Sequence, residues 1–215
     1  PTQRKRRIEG EKLHVAYGDR NQIESCRIVK ATTRTEQPNK QPPLLTESRE
    51  MLALFAPDTG QMVRLEQWGD FKYQEGDRQA RSERALLDQT TGRITLVQSA
   101  RVWDPTGSTN ADEILIDQRT EDYRADGNVT SSRLPDKKDT NGSSLLAGDE
   151  PVQAKASRMV TREKQSLVVY EGNAVLWQGA NRLTAERIEI DRKNSVLRAS
   201  GKVVSQLLDR KSSGR

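Results

Sequence analysis

A small-residue echo recurs five times along this chain and restricts its fold more than any other feature. The segments are Gln67-Trp68-Gly69-Asp70-Phe71, Gln98-Ser99-Ala100-Arg101-Val102, Ala125-Asp126-Gly127-Asn128-Val129, Tyr170-Glu171-Gly172-Asn173-Ala174 and Ala199-Ser200-Gly201-Lys202-Val203. The small residues stand at 69, 100, 127, 172 and 201, in steps of 31, 27, 45 and 29. Periods this short mean stacked supersecondary units, each unable to bury its own apolar face. The long step contains a polar stretch, 133–150, that reads as an inserted loop.

A second series runs in phase with the first. Ser82–Asp88, Ala111–Asp117, Ala156–Arg162 and Ala185–Asp191 share one grammar and begin at 82, 111, 156 and 185. Two series in phase mean two strands per unit. In the best-formed unit, Leu167 to Gln178 is rich in β-branched and aromatic residues, Gly179-Ala180-Asn181 turns the chain, and Leu183 to Asp191 ends in period-2 alternation. With no helical crossover, the sheet must continue by winding or meandering. A mid-strand Gly marks a bend or bulge, and a periodic series of them gives a flattened roll of two facing sheets.

The chain is therefore expected to be all-β, with one domain over 8–209, loops at about 31–47 and 133–152, and flexible termini at 1–7 and 210–215. The first strands are expected around Lys12–Ala16 and Gln22–Val29. Ser48–Phe55 reads as a strand, paired through the Pro57–Gly60 turn with Gln61–Leu65. By alternation, the inner face includes Val168, Tyr170, Ala174, Leu176, Ile188 and Ile190, and upstream Ala85, Leu87, Ile94, Leu96, Val102, Ile114, Ile116 and Val129. A bulge near each small residue would flip that phase locally.

Little in the chain points to catalysis. His14 is the only histidine and Cys26 the only cysteine. They form no metal constellation and leave no Ser/His/Asp triad to build, while the lone cysteine excludes an intramolecular disulfide. Asp88, Asp117 and Asp191 end equivalent strands, which suits turn capping through backbone N–H groups better than chemistry. No P-loop, dinucleotide fingerprint or zinc spacing is present. The net charge is +5, but acids and bases interleave. At 4% aromatic content the chain lacks a base-stacking platform, so nucleic acid is not the expected partner; an anionic lipid headgroup suits a mild positive excess equally well. The three Trp residues read as packing at the rim of an apolar sandwich. No run of about 20 apolar residues offers a helical membrane span.

The phrases Tyr170-Glu171-Gly172-Asn173-Ala174-Val175-Leu176-Trp177-Gln178-Gly179 and Leu183-Thr184-Ala185-Glu186-Arg187-Ile188-Glu189-Ile190-Asp191, echoed at Ala125–Val129 and Asn110–Ile114, resemble the OstA/LptA-like family of lipopolysaccharide-transport proteins. The resemblance covers roughly Gly60 to Gln206. It implies an open, V-shaped β-jellyroll whose apolar interior holds acyl chains at the fourteen inner-face positions named above. It also implies a periplasmic, non-enzymatic bridge that needs no cofactor and stacks end to end through terminal strands, with similar domains or with itself. The alternative is a polymerising structural or adhesive β-solenoid without lipid cargo.

Overall fold

The computed structural model describes residues 5–37, 41–135 and 150–207. Among these residues the regular structure is entirely β. The strands are β1 (Arg6–Glu9), β2 (Lys12–Tyr17), β3 (Ile23–Thr35), β4 (Leu44–Phe55), β5 (Met62–Glu75), β6 (Arg78–Asp88), β7 (Arg93–Asp104), β8 (Gly107–Asp117), β9 (Tyr123–Arg133), β10 (Val152–Arg162), β11 (Leu167–Gln178), β12 (Asn181–Asp191), β13 (Val196–Ser200) and β14 (Val204–Gln206). They form one antiparallel meander in which each strand pairs with its sequence neighbours, from β3 through to β12. At one edge, β1 and β2 both pair with β3 in the same register and are two pieces of one strand. At the other, β13 and β14 both pair with β12. The two edges do not pair with each other, so the sheet is open.

The long strands are bent at a common level. Two consecutive residues adopt positive φ at Gly69-Asp70, Gln98-Ser99, Gly127-Asn128, Gly172-Asn173 and Gly201-Lys202. At each of the first four pairs the register slips by one residue against both neighbours, the mark of a β-bulge. Ala100 is therefore not the counterpart of the glycines; Gln98 is, and the steps become 29, 29, 45 and 29. Ala100 instead follows the bulge directly, two residues after Gln98, and is 1% exposed.

The bends fold the sheet onto itself. Thr109 pairs with Ser131, and Tyr123 pairs with Ile116. On a flat sheet their side chains would lie about 25 Å apart, yet Thr109 Oγ1 and Tyr123 Oη are 2.9 Å apart. The Ser131 and Tyr170 hydroxyls meet in the same way at 2.8 Å. The strand halves thus form two facing leaves. The first ends in the turns after Phe55, Asp88, Asp117, Arg162 and Asp191; the second ends in the turns after Thr35, Glu75, Asp104, Arg133 and Gln178.

The bend also governs which residues face inward. On the bulged strands the inward positions keep their parity across the bend, as in Val168, Tyr170, Ala174 and Leu176. On their partners the parity changes, as in Leu183, Ala185 and Ile188, or Thr109, Ala111 and Ile114. The second sequence series marks this place: Ser82, Ala111 and Ala185 are buried along the crease, where converging leaves leave room only for small side chains.

Two expected boundaries are corrected. Strand structure continues through 31–35 and resumes at 44, so the first loop is shorter than 31–47. Alternating Thr residues supply the β pattern there, although Pro, Asn and Gln follow closely. Residues 6 and 7 belong to β1 and are not a free terminus. Residues 136–149 of the second loop, 208–209 and the terminus 210–215 lie outside the described residues. The strand expected over Ser48–Phe55 forms the greater part of β4.

The turn aspartates cap as their position suggests. Asp88 Oδ1 accepts from the Thr90 and Thr91 N–H groups, Asp117 Oδ1 from those of Arg119 and Thr120, and Asp191 Oδ1 from that of Asn194. These bonds favour the ionised form. Asp88 is held below its ordinary range chiefly by the Thr91 N–H, Asp117 by the Arg119 N–H, and Asp191 by the Asn194 side chain. A depressed folded pKa contributes stability above the unfolded carboxylate value, about 3.9, and that contribution is lost as pH falls through the folded value. Replacing all three with Asn keeps a capping oxygen but removes the titration. Urea melts of this triple variant should fall off less steeply below about pH 4 than those of the parent; identical slopes would assign acid sensitivity to other groups.

Candidate functional site

The leaves enclose a cleft of about 650 Å³ whose mouth runs between the two rows of turns. Its volume lies within the range of small-molecule sites, about 300–1,000 Å³. All fourteen positions expected on the inner face do point inward: they belong to the two buried clusters or pack against them. They do not form one surface. Ala85, Leu87, Ile94, Leu96, Val102, Ile116, Val168 and Tyr170 line the cleft. Ile114, Val129, Ala174, Leu176 and Ile188 do not reach the cleft and lie buried in the core, and Ile190 packs against them.

The division follows from what bridges the leaves. Along β8 to β11, the Thr109–Tyr123 and Ser131–Tyr170 hydroxyl pairs and the contact of Thr109 Oγ1 with Met159 Sδ at 3.9 Å hold the leaves together. Burial pushes the Tyr170 phenol up to about 12 and raises Tyr123 as well, so both stay neutral and serve as bridges. Over β3 to β7 the crossing contacts among the described residues are Gln67 Nε2 to Thr46 Oγ1 beside the bend and Arg6 Nη1 to Met62 Sδ, 3.5 Å, at the rim. At the mouth, one ion pair crosses from leaf to leaf: Arg78 Nη2 at the start of β6 lies 3.3 Å from Glu121 Oε2 in the turn after β8.

The cleft wall is not uniformly apolar. On β3 to β5 the second leaf presents a stripe of hydroxyls and amides. Thr33 Oγ1 and Thr46 Oγ1 are 2.7 Å apart, and Gln67 Nε2 donates to Thr46 Oγ1 at 2.9 Å and to Ser48 Oγ at 3.1 Å. Tyr73 Oη donates to Glu75 Oε2 at 2.8 Å, with Gln37 Nε2 on the other carboxylate oxygen at 3.0 Å. These groups satisfy one another, as buried polar groups must. Sequence reading missed the stripe, although Thr33-Arg34-Thr35 and Thr46-Glu47-Ser48 carry an alternation that signals it.

Outside the cleft, His14 is exposed on β2. Among the described residues no group of three or more His, Cys, Asp or Glu side chains is placed to hold a metal ion. Trp103 lines the cleft, with the Arg101 guanidinium 5.1 Å from its ring centroid, and Trp68 carries Arg27 at 5.8 Å.

A family model described as "LptA/(LptD N-terminal domain) LPS transport protein" matches residues 2–122 and 125–196. The chain belongs to this family. As a member of an LPS-transport family it is a transport protein and not a catalyst, in keeping with an all-β open roll. Among solved structures, the fold is similar to LptH of Pseudomonas aeruginosa, described as the LptA-homologous periplasmic component of the conserved lipopolysaccharide transport device. That likeness has a TM-score of 0.52 at 14% identity and covers 61% of this chain and 95% of the other. No curated protein sequence matches the chain.

Proposed function

We propose that this LPS-transport family member works in the periplasm as a carrier, holding acyl chains of lipopolysaccharide between its two leaves. The observation that carries this reading is the cleft itself: eight aliphatic or aromatic positions from both leaves face a shared space large enough for hydrocarbon. Burying a chain there would contribute about 0.8 kcal/mol per methylene removed from water. The sealed core behind it keeps the leaves at a fixed spacing.

The open edges suit end-to-end assembly with similar domains or with a second copy. Ile8, Leu13 and Tyr17 are exposed at the edge formed by β1 and β2, and Val203, Val204 and Leu207 at or next to the other. An unprotected edge with apolar side chains invites strand addition. A non-lipid solenoid would share these edges but has no use for the cleft.

The test is a photo-crosslinking amino acid at single positions in protein incubated with lipopolysaccharide. Adducts are expected from position 94, which faces the cleft. None are expected from position 176, sealed in the core, or from position 155 on the outer face. Equal labelling at 94 and 155 would remove the interior from the mechanism.

A further inference from the structure

One guanidinium at the cleft mouth has a buried nitrogen that, among the described residues, no hydrogen bond satisfies. Arg133 ends β9 on the second leaf and lines the cleft with Ser131, Tyr123, Tyr170 and Arg192. Its Nε is buried with no hydrogen-bond partner, and among the described residues it makes no ion pair. The other charges at the mouth are engaged. Arg78 pairs with Glu121 and Arg119 with Asp117. Asp104 feels the Arg133 charge but makes no direct ion pair with it, and its Oδ1 accepts from the Thr106 N–H, the Thr106 hydroxyl and the Gly107 N–H. Arg192 Nη1 donates to the Gln165 carbonyl at 3.3 Å. A guanidinium nitrogen withdrawn from water and given no acceptor is costly, and such a group is rare unless something completes it.

The surroundings supply donors. Ser131 and Tyr170 share one hydrogen bond between two hydroxyls, so one of the two protons remains free for an acceptor. Arg192 and Arg133 both act on the Tyr170 phenol, opposing the effect of burial. Gly107 pairs directly with Arg133; a Cβ there would stand 2.5 Å from the Ser132 carbonyl oxygen and 3.1 Å from the Arg133 Cα, so the two strands pack closely at this point. Two arginines and a spare hydroxyl proton, at the water end of an apolar cleft, match an oxyanion attached to a hydrocarbon tail.

We propose that Arg133, with Arg192 and the Ser131–Tyr170 hydroxyl pair, forms an anion site at the cleft mouth that takes a phosphate monoester borne by the bound amphiphile. This rests on the carrier reading above. The tail would lie against Leu96, Val102, Ile116 and Val168, and the phosphate would remain at the rim.

The test compares dodecyl phosphate, dodecanol and inorganic phosphate by competition against a fluorescent alkyl reporter. The parent protein should bind dodecyl phosphate roughly 10-fold more tightly than dodecanol. Arg133→Gln should bring that ratio close to one while leaving dodecanol affinity unchanged. Arg133→Lys, which keeps the charge but loses the fork, should fall between. Arg119→Gln, at an exposed and already paired arginine, should keep the full ratio. Circular dichroism and thermal melts of each variant establish that the fold is retained; should Arg133→Gln fail to fold, the Lys variant and the parent ratio decide. Equal binding of the two alkyl probes by the parent overturns the anion site and leaves the carrier reading standing. Binding of neither overturns both. Displacement of dodecyl phosphate by inorganic phosphate at comparable concentration would assign the site to the free ion and overturn its link to the amphiphile.

Discussion

Ile188→Ala should cost about 3–4 kcal/mol of folding stability, and Ile116→Ala only about 1–2 kcal/mol. The two residues are chemically identical and both face inward on the first leaf. Ile188 is 0% exposed, lies between Tyr170 and Ala199 on the neighbouring strands, and belongs to the sealed core. Removing its three outer carbons leaves a void that packed neighbours cannot fill. Ile116 lines the cleft and is only partly buried, so it already lacks partner atoms on one side and its truncation merely widens an existing space. Denaturant melts of the two variants measure the contrast. Equal losses would mean that the interior is sealed, or open, along its whole length, and the division between core and cleft would fall.

The second large effect is expected at the bend. Gly172 has φ 78°, and a Cβ there would stand 2.7 Å from both the Cβ and the Oγ of Ser157 on β10. Gly172→Val adds a β-branched side chain where L-residues are disfavoured and pushes it into a neighbouring strand. The loss should be about 2–4 kcal/mol. The converse holds at Gln98, which carries φ 63° where the equivalent positions have glycine. Gln98→Gly relieves that strain at some cost in chain entropy and should gain up to about 1 kcal/mol. Urea melts of both variants test whether the positive-φ pairs are a common structural requirement; a neutral Gly172→Val would deny it.

Much of the architecture was legible because the bend repeats. Gly69, Gly127, Gly172 and Gly201 announce it directly, and the aspartates at 88, 117 and 191 mark the turns. The misalignment at Ala100 has a plain cause: Gln98-Ser99 takes up positive φ with no residue that advertises it, so smallness pointed two residues too far. The inner face was readable on each first-leaf strand from Ile–Ile or Val–Tyr alternation. On the second leaf it was readable only for bulged strands. Thr109, Leu183 and Ala185 were overlooked because their strands change parity at the crease. The separation of cleft from core was not visible at all. It depends on hydroxyls reaching across from the opposite leaf, Tyr123 to Thr109 and Tyr170 to Ser131, and residues fourteen or thirty-nine positions apart in such pairs leave no local pattern.

Because from β3 to β12 the ladder joins each strand to the strands beside it in sequence, and the first and last strands never join, the architecture has no ring to reclose. A duplication or deletion of one whole 29-residue module would lengthen or shorten the trough while the ladder continues on either side. The distance such a molecule spans is thus a heritable, nearly digital quantity, adjustable by recombination in increments of two strands, about 10 Å at the spacing of a β-ladder.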